Sequence, residues 1–279
     1  MPSKGFKSLF ILATCACQSK GLDDSGESST LGNGGAIDPL ASTETIVIPD
    51  GPEDLAESPE GLLYISARGG GKLHTWSPTD EDQDEISDDI PGIQALAFAE
   101  NELWLTTTDD GVTGSLSILE GRFADEIYTQ ADNGTLFRKP VDLVATPDGG
   151  WLIVDNNASG VFVVNASGSV SFTSCCTEDP MAAVFTSANQ LVVGGDEGAF
   201  STSWPIGTFT QIDDRSVLGL AVVKDVLWAT NGTEGLFVVG GGQLGIDGPN
   251  RPGSLLVTND EQTVFVADSA GYGIWVVDE

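Results

Sequence analysis

An all-β propeller of six blades, closed by a strand taken from the N-terminal side, is the fold this sequence predicts. Three observations lead there. One phrase recurs six times between residues 52 and 278: an apolar run, a turn, a second apolar run often ending in Asp, Asn or Thr, a Gly-rich gap and a third apolar run. The first-run anchors Leu55, Leu96, Leu143, Ala183, Leu220 and Leu255 advance by about 40 residues per copy, the length of one propeller blade. Finally, the chain stops just past the third run of its sixth copy, while a β-prone segment at 45–48 (TIVI) lies upstream of the first copy with nothing to pair with. Supplying that segment as the missing outer strand joins the two chain ends and removes an exposed sheet edge. An open β-sandwich is the competing architecture, but it does not call for six matched copies.

The order of elements starts with export. Lys4 and Lys7 precede a short apolar stretch at 9–13, followed by small residues and cysteines, which is the layout of a secretory peptide over 1–17. The runs LATC and TCAC place a small residue before a cysteine, resembling the bacterial lipobox. Cys17 is the expected lipidation site, with Cys15 the alternative. Residues 18–42 are Ser, Gly, Asp and Glu with almost no large apolar side chain, so they cannot bury enough surface to offset the entropy of ordering. They are expected to form a flexible tether, and 43–279 the propeller. Beyond the export segment no run of 18 apolar residues occurs, so the membrane is expected to be met only through the lipid.

Within the propeller, turn signals separate first from second runs: PEG at 59–61, PDGG at 147–150 and NDE at 259–261. Third runs are expected at 72–76, 115–119, 161–164, 199–204, 236–239 and 274–277. The clearest copies are 140–155 (PVDLVATPDGGWLIVD) and 252–268 (PGSLLVTNDEQTVFVAD). The stretch 79–85 (TDEDQDE) has alternating carboxylates like the start of a calcium loop but lacks the Gly and closing Glu at the required offsets, so a solvated acidic loop is expected.

The polar residues that end second runs are candidates for a mouth. Asp155, Asp196, Asn231 and Asp268, with Asp109 and Asp110 in the second copy, all sit where the second run turns into the third. If that face carries a ring of carboxylates, it should attract cations and repel anionic ligands. The competing reading is that these side chains satisfy turn amides, as most such residues do. Cys175 and Cys176 are the only cysteines beyond the export segment, so an adjacent-residue disulfide is one expectation, and two thiols or a link to another chain are the others. His74, the only histidine, lies in a third run, far from a propeller axis, and is expected to be an ordinary strand residue. The Asn-X-Ser/Thr sites at Asn133, Asn157, Asn165 and Asn231 read as turn residues in a bacterial chain and as glycan sites in a eukaryotic one.

The copies beginning at Pro140 and Pro252 resemble NHL repeats. The opening unit 51–66 (GPEDLAESPEGLLYIS) is similar to the first blade of the strictosidine-synthase-like and senescence-marker/gluconolactonase propellers. This resemblance spans about 225 residues and implies a six-bladed propeller with its site at the central mouth. In the gluconolactonase-like enzymes a Glu before the first inner strand, with Asn and Asp from other blades, holds a divalent cation. Glu53 matches that Glu by context, and Asp142 occupies a comparable place in the third unit. The corresponding residues of the fourth and fifth units, Ala182 and Gly219, cannot ligate a cation. Because Ca2+ takes six or more oxygen ligands, a complete enzymatic metal site is not expected, and Glu53 and Asp142 are left as metal candidates.

Net charge of −31 excludes nucleic acid and bare anionic membrane surfaces as partners, since phosphate binding needs Lys and Arg. Three functions remain. The first is a lipid-anchored, monomeric propeller at the cell envelope that binds a small-molecule or protein ligand at its mouth. The alternatives are a divalent-metal-dependent lactonase or esterase, and a component of an envelope assembly that uses the blade sides.

Overall fold

The computed structural model describes residues 42–48, 50–67, 71–77, 83–87, 90, 92–99, 101–109, 112–232, 235–244, 249 and 251–277. The export segment with Cys15 and Cys17, the tether up to residue 41, and Asp110 lie outside them. Six sheets radiate from one axis. β1 (Ser42–Val47) precedes blade 1, which is β2 (Pro52–Glu57), β3 (Leu63–Ala67), β4 (Lys72–Trp76) and β5 (Gln83–Ser87). Blade 2 is β6 (Ile93–Ala99), β7 (Glu102–Asp109), β8 (Thr113–Glu120) and β9 (Phe123–Tyr128). Blade 3 is β10 (Pro140–Ala145), β11 (Trp151–Asp155), β12 (Gly160–Val164) and β13 (Val170–Ser174). Blade 4 is β14 (Pro180–Phe185), β15 (Gln190–Gly195), β16 (Gly198–Ser203) and β17 (Thr210–Asp213). Blade 5 is β18 (Gly219–Val223), β19 (Val226–Asn231) and β20 (Gly235–Val238); blade 6 is β21 (Pro252–Val257), β22 (Val264–Asp268) and β23 (Gly273–Val277).

The fold is therefore the expected all-β six-bladed propeller. All six third runs are strands, shifted from expectation by no more than a few residues. Two details differ. Blade 5 has three strands among the described residues, with Leu236 and Val238 hydrogen-bonded to Leu244 and Gly242 where a fourth would lie. The acidic stretch at 79–85 is not all loop, because Gln83, Asp84 and Glu85 begin the outer strand β5 with exposed side chains.

Packing explains why second strands are apolar on both faces over much of their length. Successive side chains of a strand face opposite ways, and here each face meets a different neighbour. In β11, Trp151 and Ile153 join the core shared with blade 2, while Leu152 and Val154 join the core shared with blade 4. In β7, Trp104 faces blade 3, and Leu103 and Leu105 face blade 1. The buried interior thus divides into six clusters, one for each pair of adjacent blades. Outer strands such as β5, β9 and β17 are largely exposed, so apolar content falls away from the axis.

Ring closure follows the same logic. β1 runs antiparallel to β23 in the register Ser42↔Val277, Thr43↔Val276, Glu44↔Trp275, Ile46↔Ile274 and Val47↔Gly273, with a bulge between Glu44 and Ile46. The closing strand begins three residues earlier than 45–48 and reaches into the segment read as tether. Ile46 and Ile48 are buried in the cluster between blades 6 and 1, beside Leu55, Ile65, Phe265 and Ile274. The Ile48 N–H also donates to the Tyr272 carbonyl at 2.8 Å.

A chain starting at residue 50 loses two fully buried isoleucines, each contributing about 1.5–3 kcal/mol, and leaves the β23 edge unpaired. Its melting temperature should fall by about 10 °C or more. Calorimetry of the full and truncated chains checks this, and equal melting temperatures would refute closure by β1.

Candidate active site at the propeller axis

The inner strands β2, β6, β10, β14, β18 and β21 enclose an axial cavity of about 510 Å3. Four of the six open on proline, which fixes φ and needs no ladder hydrogen bond at that point. Five carry a register shift one or two residues in, between Pro52 and Asp54, Ile93 and Ala95, Pro140 and Asp142, Pro180 and Ala182, and Pro252 and Leu255. Such bulges re-aim side chains. In this position Glu53, Val141 and Met181 line the cavity, as do the residues that follow them, Asp54, Asp142 and Ala182. Gly219 takes the place in blade 5, where a Cβ would meet the Gly253 carbonyl at 2.2 Å, so a side chain is excluded by the backbone of the next blade.

The Pro-aligned position reads Asp54, Ala95, Asp142, Ala182, Gly219 and Ser254 around the ring. The register therefore makes Asp54, and not Glu53, the counterpart of Asp142; Glu53 occupies the bulge one residue nearer the mouth. Both aspartates reach across a blade boundary. Asp54 accepts the Leu96 N–H at 2.7 Å from blade 2 and the Ser254 hydroxyl at 2.5 Å from blade 6. Asp142 accepts the N–H of Leu143 at 2.8 Å and that of Ala183, in blade 4, at 2.6 Å.

These carboxyls hold protons unusually well. Burial raises Asp54 to about 6 against the pull of Ser254 and the backbone N–H groups, with the charge of Glu53 adding to the rise. Burial raises Asp142 to about 7, and the charge of Asp54 adds to it. Two acids thus share one cavity.

Of the residues that sequence reasoning nominated, Glu53 and Asp142 line the cavity, whereas Asp155, Asp196, Asn231 and Asp268 are not among its lining. Asp155 is fully buried and accepts the N–H groups of Arg138 at 2.7 Å, Lys139 at 3.0 Å and Ala158 at 2.9 Å. Asp268 does the same in blade 6, accepting from Arg251 at 3.0 Å and Gly271 at 2.8 Å. Asn231 donates its amide to the Ser216 carbonyl at 3.0 Å, and Asp196 is exposed in the turn after β15. Asp155, Asn231 and Asp268 thus order the connections at the mouth, which is turn chemistry.

Three lining residues were missed. Asp54 was legible as the Asp two residues after the opening proline in both copies one and three. Lys139 and Arg251 line the upper cavity, each directly before the proline of its inner strand. Comparing the Lys-Pro and Arg-Pro pairs of the two clearest copies would have found them. Their presence changes the mouth from a ring of carboxylates to one with two opposed cations.

His74 is buried in β4, off the axis, and burial lowers its pKa. Cys175 and Cys176 lie between β13 and β14 as half-buried free thiols, with their sulfurs 2.8 Å apart. Among the described residues no group of three or more His, Cys, Asp or Glu side chains is placed to hold a metal ion.

No family model and no curated protein matches the sequence. Among solved structures, a gluconolactonase from Xanthomonas campestris is similar with a TM-score of 0.74 at 15% identity, covering 85% of this chain and 89% of its own. A catalytically inactive histidine-to-alanine variant of virginiamycin B lyase from Staphylococcus aureus, solved with quinupristin, is similar with a TM-score of 0.61 at 13% identity, covering 85% and 99%. Likeness at this identity establishes the six-bladed fold and leaves the chemistry to the site itself.

The raised carboxyls have a signed consequence. Between their ordinary value near 3.8 and about 7 the folded state holds protons that the unfolded chain has released, so this contribution to stability is full below the ordinary value of 3.8 and is lost progressively as pH rises through the folded values of about 6 and 7. Asp142→Asn removes the charge and keeps one acceptor oxygen for the two N–H groups of Leu143 and Ala183. Its stability relative to the parent should be about 1–2 kcal/mol greater at pH 8 than at pH 5. Denaturant melts at the two pH values measure the difference; a gap independent of pH would sink the assignment.

Proposed function

We propose that this protein is an exported, lipid-anchored binding propeller that presents its axial cavity to a small ligand at the cell envelope. One observation carries the reading: the polypeptide enters the ring on the face opposite the mouth. Register sets Pro252 against Asp268, Asp268 against Gly273 and Gly273 against Val47, so these four mark the mouth end of blade 6. Val257, Val264, Val277 and Ser42 are matched in the same way at the other end. A tether leading from Cys17 to Ser42 would therefore hold the lower face toward a membrane and leave the mouth outward. Binding is favoured over catalysis because four of the six Pro-aligned positions are Ala95, Ala182, Gly219 and Ser254, and the only histidine is remote from the cavity.

A second reading, a divalent-metal-dependent lactonase or esterase, draws support from Glu53 and Asp142 lining one cavity. It requires that Ca2+ raise the melting temperature and that a sugar lactone turn over. We expect neither to be substantial, and robust turnover that vanishes in Glu53→Gln would promote the enzyme.

The anchor is tested separately. Replacing Cys15 and Cys17 together with Ser should move the protein from the membrane fraction to the soluble one or block its processing. Failure of the parent chain to incorporate labelled lipid would reduce it to a freely secreted form.

A further inference from the structure

Resting on the reading of the axial cavity as a ligand site, we infer that its ligand is a short zwitterionic peptide, held by its ammonium among Asp54, Asp142 and Glu53 and by its carboxylate between Lys139 and Arg251. The inference begins with charge. The chain has 42 acidic residues and 11 lysines and arginines, yet two of the eleven line this cavity. They sit in blades 3 and 6, which face each other across a ring of six. Among the described residues neither makes an ion pair, whereas Lys72 bridges Asp50 and Glu85 and Arg215 pairs with Asp213.

Their backbones are fixed from below. Asp155 accepts the Lys139 N–H and Asp268 accepts the Arg251 N–H, each from a fully buried carboxylate. Two cations held in equivalent places at opposite sides of an opening form a receptor for one anionic group.

The acid level lies deeper. Asp54 accepts from the Leu96 amide and the Ser254 hydroxyl, with the Leu55 amide also acting on it, and Asp142 accepts from the amides of Leu143 and Ala183. A carboxylate has about four acceptor positions, so each keeps room for further donors. An ammonium brings three N–H donors and the positive charge this pair lacks, which a neutral hydroxylated ligand does not.

Spacing selects the length. Lys139 precedes Asp142 by three residues, and Arg251 precedes Ser254 by three, so the two levels are about 10 Å apart along an extended strand, less after the bulge and the reach of the side chains. A dipeptide separates its charged ends by about 7 Å, and a single amino acid by about half that. Val141, Met181 and Leu218 line the wall between, suiting an apolar side chain. The cavity of about 510 Å3 accommodates a molecule of this size.

Calorimetric titration of the full chain with L-alanyl-L-leucine, its N-acetyl derivative and its C-terminal amide tests the assignment. We expect the free dipeptide to bind with a Kd of about 1 mM or tighter, and each blocked form at least about tenfold more weakly. Arg251→Gln should weaken the dipeptide and the amide unequally, costing the dipeptide about tenfold and the amide little; Asp142→Asn should weaken the dipeptide and spare the N-acetyl form. Arg251 is exposed, so its variant remains informative if Asp142→Asn folds poorly. Equal binding of all three peptides, or no binding by the free dipeptide at about 10 mM, overturns the inference. A panel of neutral sugars, simple carboxylates and simple amines run beside it separates the two levels of argument. Binding of a panel member that is lost in Arg251→Gln or Asp142→Asn, with no dipeptide binding, removes the peptide assignment and keeps the binding propeller; silence from every probe removes both.

Discussion

Every second strand in this molecule has two apolar faces, and no single blade covers both. Trp151 and Ile153 need blade 2, and Leu152 and Val154 need blade 4. Burial of each face removes apolar surface from water only when the neighbour is in place, so stability is a property of the closed ring. This constraint fixes much else. It requires a strand from the N-terminal side to complete blade 6, and it explains why Ile46 and Ile48 are as deeply buried as residues near the axis. Closure is reinforced by contacts between the first and last blades, such as Ser254 to Asp54 and the Asn259 N–H to Glu57 at 2.6 Å. It also sets the geometry of the axis, because six inner strands held at blade spacing leave a cavity between them.

The same ring sorts carboxylates into two kinds. Asp155 and Asp268 are fully buried in the molecule's connections and accept backbone N–H groups there. Asp54 and Asp142 also accept amides, but they face a shared lumen and each other, and their affinity for protons rises. The first kind orders the loops that begin the inner strands. The second kind faces the cavity.

The legibility of the sequence divides along similar lines. Blade number, strand order and closure follow from local signals: apolar runs of strand length, turn residues such as those at 147–150, and one unpaired β segment. The apolar runs could be read because covering both faces of a strand leaves a continuous apolar string. The site could not be read in the same way, since its contacts span distances the sequence does not encode. Asp54 meets Leu96 from 42 residues away and Ser254 from 200 away. The second-strand polar residues drew attention by their regular spacing, yet regular spacing is what a repeated turn requires, and Asp155, Asn231 and Asp268 bond to the connections beside them. Glu53 and Asp142 were named from resemblance. Aligning the copies on their opening prolines would have brought Asp54 forward and shown Lys139 and Arg251 as a matched pair.

Those two cations connect the kinds of carboxylate. In a chain of charge −31, a basic residue at the surface is surrounded by acids that would draw it into an ion pair. Lys139 and Arg251 are held out of such pairs by backbone geometry: buried Asp155 and Asp268 bind their main-chain N–H groups and so fix where each side chain starts, above the lumen and next to a proline that restricts the chain on the other side. The Asp at the end of a second strand thus acts at one remove. It sets the position of the residue that lines the mouth, and this is a reason for a turn carboxylate to recur in blades 3 and 6, where a cation precedes the proline. In blade 5, where Ser216 and Val217 precede the inner strand, Asn231 holds a carbonyl instead and the cavity lining there is Leu218 and Gly219. Charge at the mouth therefore follows blade by blade from which side chain ends the second strand and which residue opens the first, so that the electrostatics of the cavity are set by the same turns that build the ring.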